Sequence, residues 1–133
     1  MADATIIADA LYGWMEENLS DYNVGFEYLP ATEPALMLQS APEQPVAKRY
    51  KSGREIYIYR FSLLMRASNE DTASRVNAQA ALEAASIAIE GAQIQGFDIW
   101  EIRTDSTARV ISTEDRFDVL MVQMHVTYEG SGA

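Results

Sequence analysis

The stretch Arg54-Glu55-Ile56-Tyr57-Ile58-Tyr59-Arg60-Phe61-Ser62-Leu63-Leu64-Met65-Arg66-Ala67 decides the fold. It holds neither glycine nor proline, and aromatic and β-branched side chains fill its first half, which suits a pleated strand. Successive side chains point to opposite faces of a strand. Tyr57, Tyr59, Phe61, Leu63 and Met65 therefore share one apolar face, which is core. The other parity sets Ile56, Ile58 and Leu64 among Arg54, Arg60 and Arg66. That second face is too apolar for plain solvent and too basic for a core.

Working outward, Lys51-Ser52-Gly53 separates this strand from Val46 to Tyr50, and a glycine at a tight turn predicts a β-hairpin arm. Upstream, Pro30, Pro34, Pro42 and Pro45 crowd together, and no proline occurs elsewhere. Proline donates no ladder hydrogen bond, so Val24 to Leu29 and Ala35 to Gln39 read as edge strands joined by loops. Before them, Ile7, Leu11, Trp14 and Met15 recur at helical spacing, behind a cap at Asp3 or Thr5. Downstream, Asn69-Glu70-Asp71-Thr72 is a helix start, and Gly91 closes that helix after Glu90. Its buried stripe is expected at Ala73, Val76, Ala80, Ala84, Ile87 and Ala88, with Leu82 to one side.

Three strands follow, at 97–104, 108–113 and 117–128. In the last, Leu120, Val122, Met124, Val126 and Tyr128 form one apolar face. Phe117, Val119 and Met121 make the start of the other face apolar too, which predicts cover on both sides, from a helix or another subunit. Residues 129–133 read as a flexible tail. The whole is a single α+β domain over 1–133: two helices packed on a mainly antiparallel β-sheet, with a β-hairpin arm.

The 133 residues suffice for one core, and 48% apolar with 23% charged residues is ordinary for a folded chain. There is no cysteine, hence no disulfide, thiolate metal site or cysteine nucleophile. The one histidine, His125, excludes sites that need two imidazoles, and it sits between Gln123 and Thr127 in a strand rather than near a nucleophile-elbow serine. Neither a phosphate-binding glycine loop nor a calcium loop is present. The sequence points to no catalytic residue, no metal and no cofactor. Met1-Ala2-Asp3-Ala4 has no basic region and does not read as a secretory signal. No apolar run reaches the roughly 18 residues of a membrane helix, so no membrane partner is expected.

Charge is unevenly placed. The net charge is −10, yet residues 1–47 hold eight acids and no Lys or Arg, while residues 48–66 hold six bases against Glu55 alone. A protein this acidic does not grip nucleic acid with its surface as a whole. The basic stretch reads either as a solvated hairpin or as a docking surface for an acidic neighbour, including another copy of the chain.

Several stretches resemble a known family. They are Tyr22-Asn23-Val24-Gly25-Phe26-Glu27-Tyr28-Leu29-Pro30, Leu36-Met37-Leu38-Gln39, Pro45-Val46-Ala47-Lys48-Arg49-Tyr50 and Asn69-Glu70-Asp71-Thr72-Ala73-Ser74-Arg75. Together they resemble the minor capsid or tail completion proteins of long-tailed bacteriophages, which look like tail terminators. The resemblance runs from the first helix through the 117–128 strand. It implies a structural virion protein, not an enzyme, located at the head–tail junction and assembled in the host cytoplasm. It implies a homo-oligomeric ring, six-fold in tail terminators generally, that stops polymerisation of the tail tube protein and meets the head connector or stopper. DNA would pass through the pore without specific binding. Within it, Lys48, Arg49, Lys51 and Arg54 are the expected subunit or tube contacts. The alternatives are a connector or stopper protein of the same neck, a small monomeric cytoplasmic enzyme or binding module, and a host adaptor with an acidic face.

Overall fold

The computed structural model describes residues 4–31, 34–41 and 46–130. In chain order the elements are helix α1 (Ala4–Asn18), strands β1 (Asn23–Phe26), β2 (Ala35–Ser40), β3 (Val46–Arg49) and β4 (Glu55–Ser68), helix α2 (Thr72–Glu90), and strands β5 (Asp98–Thr104), β6 (Arg109–Thr113) and β7 (Phe117–Gly130). They form one seven-stranded, mostly antiparallel sheet in a single α+β domain. β4 and β7 are its spine, paired antiparallel from Glu55↔Gly130 to Ser68↔Phe117. β3 and β2 pair with successive stretches of β4, while β5 and β6 pair with successive stretches of β7. β1 lies parallel to β2 at the margin.

The core is built on the expected parity. Tyr57, Tyr59, Phe61, Leu63 and Met65 of β4 meet Leu120, Val122, Met124, Val126 and Tyr128 of β7, all buried. Both helices pack on this face, α1 through Ile7, Leu11 and Met15. Ring contacts extend the packing: Tyr57 stacks on Tyr128 at 5.5 Å, and Phe97 meets Tyr128 edge-on at 5.7 Å. Asp71 caps α2, its carboxylate accepting the Ser74 N–H at 2.7 Å. The cap expected for α1 is not at Thr5, which lies inside the helix, and Asp3 lies outside the described residues.

Helix α2 turns a different side to the sheet from the one its sequence suggested. Ala78, Leu82, Ala85, Ser86 and Ile89 are buried, and Ala73, Val76, Ala80, Ala84, Ile87 and Ala88 are exposed. The two stripes have the same helical spacing, so periodicity does not choose between them. Leu82 and Ile89, seven residues apart and flanked by small Ala78 and Ala85, let the helix lie close to the sheet while burying two large side chains.

Three further expectations are corrected. β2 is not an edge strand, since β1 flanks it on one side and β4 on the other. All four prolines fall outside Ala35–Ser40, so no ladder donor is lost; Pro34 even supplies its carbonyl to the Asn23 N–H at 2.8 Å. Within the chain, the apolar half of the second sheet face is covered not by a helix but by the turn after β1. Glu27 adopts a left-handed φ of 62°, held by its N–H on the Leu38 carbonyl and by its carboxylate on the Ser40 N–H. The turn carries Leu29 onto Met37, Leu64, Val119 and Met121, and Arg66 anchors it by donating to the Pro30 carbonyl at 2.6 Å. Gly25 is needed beneath it, because a Cβ there would run into the Tyr28 carbonyl oxygen. At the other end, β7 runs on through Glu129 and Gly130, which therefore belong to the sheet rather than to a tail; residues 131–133 lie outside the described residues.

The orientation of α2 makes a direct prediction. Leu82→Ala should cost about 3 kcal/mol by emptying a fully buried site. Ile87→Ala should stay within about 0.5 kcal/mol of wild type. Urea unfolding of the two variants checks this, and comparable losses would mean the helix faces the other way.

Candidate functional site

The hairpin arm is closed by Gly53 at a φ of 86°, with Tyr50 and Arg54 bonded across the turn at 2.8 Å. Its four cations fall into two kinds. Arg49 sends its Nε to Glu55 Oε1 at 3.1 Å, and the buried Glu55 carboxylate also accepts the Tyr57 hydroxyl. Arg54 grips both oxygens of Glu129, at 3.1 Å and 2.6 Å, and lies 5.9 Å from the Trp100 ring. These two arginines tie the hairpin and the end of β7 together. Lys48 and Lys51 form no ion pair among the described residues; Lys48 Nζ sits 5.5 Å from the Tyr50 ring, and Lys51 stands in the turn. Of the four expected contact residues, then, two are committed to the fold and two are available.

A second surface was not foreseen. Along the outward side of α2, Val76 is 58% and Ile87 66% exposed, and Ala73, Ala80, Ala84 and Ala88 lie between and beside them. Only Arg75, Glu83 and Glu90 are charged in the nineteen residues of the helix. Beside it, β5 and β6 each carry a bulge against β7, at Trp100 and at Ile111. A bulge leaves its extra residue outside the ladder and re-aims the side chain, and both residues are exposed. Val76 and Val110 line one small groove, of about 130 Å³, between α2 and β6. The sequence held a signal for the helix surface, since α2 carries two apolar stripes and can bury only one on its sheet; the bulges had none.

The open sheet face carries a polar groove of about 670 Å³ lined by Gln39, Arg60, Ser62, Asp105, Gln123 and His125. His125 Nδ1 lies 2.8 Å from both Asp105 oxygens, and its Nε2 lies 3.6 Å from Glu101. Nδ1 is thus held by the Asp105 carboxylate, while Nε2 lies beyond hydrogen-bond distance of Glu101. Among the described residues no three His, Asp or Glu side chains are placed to hold a metal ion. Nor, among the described residues, is any helix long and apolar enough to cross a membrane. A third groove, of about 510 Å³, opens where α1 ends and is lined by Glu16, Ser20, Tyr22, Tyr28 and Pro30.

Neither the protein-family models nor the curated proteins contain a match to this chain.

The ion pairs of the hairpin predict a pH dependence. Donation from Tyr57, and then from Arg49, holds the Glu55 carboxyl below the usual glutamate range, and Arg54 does the same for Glu129. A carboxyl depressed on folding contributes stability above its unfolded value and loses it as pH falls through the folded one. Thermal melts of wild type and Glu129→Gln should therefore differ most above the usual glutamate range and converge as the pH falls below it. A gap that stays constant on acidification would show that the Arg54 pair contributes nothing as a charge pair.

Proposed function

We propose that this chain is a tail terminator of a long-tailed bacteriophage, a structural protein that closes into a ring at the head-proximal end of the tail tube. One observation carries the self-assembly in this reading: α2 is apolar on the side away from its own sheet. A helix lying on a domain surface normally turns charged and polar residues outward, and one apolar all round is buried on all sides. The outward stripe from Ala73 to Ile87, continued by Val110 and Ile111 of β6, asks for a protein partner. The partner argued here is the neighbouring subunit. Apolar cores rimmed by polar groups are how subunit interfaces are made.

The phage assignment comes from the sequence resemblance, and the charge distribution is compatible with it. An acidic surface repels phosphates, which suits a pore that DNA crosses without being held. Tail terminator and neck connector share this reading of the α2 surface and differ in the partner at the ring's face: the growing tail tube for the first, the head for the second. No residue acts as a catalyst in either, and the protein works by shape and ring closure.

The test is native mass spectrometry of the chain alone and with polymerising tail tube protein, followed by electron microscopy of the tubes. The expected result is a hexamer, or a ring capping one end of each tube. Val76→Lys with Ile87→Lys should shift that mass to the monomer and let tubes grow on, with the melting temperature within about 3 °C of wild type. A wild-type chain that neither assembles nor caps tubes would overturn the proposal.

A further inference from the structure

The large apolar side chains exposed among the described residues gather at the two margins of the sheet, with Tyr50 alone on the hairpin. At one margin β5 and β6 pair with the side of β7 that faces away from β4. Helix α2 is tied to them: Gln79 donates to the Ala108 carbonyl, and Glu90 accepts the Thr104 N–H. This margin exposes Val76, Ile87, Trp100, Val110 and Ile111. At the other margin α1 lies against β1, the Tyr12 hydroxyl donating to the Val24 carbonyl and its ring meeting Phe26 edge-on at 6.0 Å. That margin exposes Phe26 and Tyr28, the latter by 62%.

Charge selects among the exposed aromatic residues as cover for the α2 stripe of a second copy. Arg75 and Arg109 line the small groove that Val76 and Val110 share, and Arg109 forms no ion pair among the described residues. The acid in that groove, Asp118, is buried and accepts from Asn69. Tyr50 stands between Lys48 and Lys51 in sequence and would bring like charge to the two arginines. Trp100 lies beside Arg54 of its own chain, on the stripe's own margin. Tyr28 instead stands beside Glu16, and residues 4–31 contain no Lys or Arg. The stripe packed on its own counterpart would give a two-fold dimer, which closes at two chains and builds no ring.

We infer that the α1–β1 margin of one copy, through Phe26 and Tyr28, covers the α2–β6 stripe of the next. The inference rests on the ring reading proposed above and names the second half of its interface. The two halves lie on opposite margins of one sheet, so the contact is head-to-tail, and such contacts make rings when they close. Apolar area meets apolar area, and Glu16 offers Arg109 an acid of opposite charge.

The experiment mixes two half-broken chains and reads their mass by native mass spectrometry. Tyr28→Lys spoils the β1 margin and leaves the stripe intact, whereas Val76→Lys with Ile87→Lys does the reverse. Tyr28→Lys alone should lose about tenfold in the ring fraction at a fixed concentration, with its melting temperature within about 3 °C of wild type. Mixed in equal amounts well above the concentration at which wild-type rings form, the two variants should give a one-to-one dimer and nothing larger. Each such dimer joins through the single pair of surfaces left intact. Adding Arg109→Glu to Tyr28→Lys should return part of the ring, because the new cation then meets an acid.

A second measurement does not depend on losing assembly. The chain has no cysteine. Tyr28→Cys and Val110→Cys sit on strands four spacings apart in one chain, about 19 Å, which is beyond disulfide reach. A bond between them therefore links two chains. The double variant should give a ladder of linked chains on a non-reducing gel, while neither single variant can pass the dimer. If the wild type forms rings but the mixture yields no mixed dimer, or no ladder appears, this pairing is wrong and the ring reading stands. If the wild type forms no ring and caps no tube, the ring reading falls and this inference with it.

Discussion

The unbroken antiparallel ladder between β4 and β7 is the constraint on which the rest of the molecule depends. Fourteen residues pair with fourteen, and with a side-chain period of two a slip of one residue would turn every core tyrosine and methionine to the wrong face. The register is held at both ends by different chemistry. At the Glu55 end, Arg54 reaches across the pair to Glu129. At the Ser68 end, Asn69 donates to Asp118 and to the Glu114 carbonyl. Between them the aromatic and aliphatic row is buried without interruption. Each remaining strand except β1 attaches to one of these two, so the ladder also sets where the hairpin and the α1 groove lie, at opposite ends of one rigid strand.

That spine explains why charge was spent as it was. Burying a carboxylate is costly unless it is paired and hydrogen-bonded, and Glu55 is buried only because Tyr57 donates to it and Arg49 lies over it. The short strand β3 is tied to β4 by this cluster as well as by its ladder. Exposed ion pairs alone contribute little; here the Arg54 fork on Glu129 spans 75 residues of sequence and fixes where β7 ends. The basic stretch in the sequence is thus partly committed within the chain, through Arg49, Arg54 and Arg66. Half of it is internal structure that happens to be on view.

Much of this was legible beforehand because it depends on local rules. The parity of residues 54–67 and 117–128, the hairpin glycine and the Asp71 cap each follow from a constraint contained within a few residues. What was not legible depends on tertiary choice. Two stripes of α2 have the same spacing, and only the depth available above the sheet selects Leu82 and Ile89. The prolines around β2 suggested an edge, yet they flank the strand without entering it, and pairing on both sides costs nothing. Leu29 crosses to the second face because Glu27 takes a left-handed turn that no glycine announces. The bulges at Trp100 and Ile111 arise from mismatch with β7, and a single strand's sequence does not contain its partner's register.

Four of the eight large apolar residues exposed among the described residues lie together. Val76 and Ile87 lie on one helix face, and Val110 and Ile111 lie on the strand beside it. Scattered surface leucines and valines need no explanation, but a stripe along a nineteen-residue helix that already buries Leu82 and Ile89 on its inner side is different. Selection for folding alone would be satisfied by one of the two, and the second could have been lysine and glutamate at no cost to the domain. Retaining it leaves an aggregation liability on every free chain. That liability is acceptable where a partner covers the face in a closed arrangement, because closure removes the unsatisfied surface from every copy at once. The exposed stripe of α2 is the surface that the proposed ring would cover in every copy.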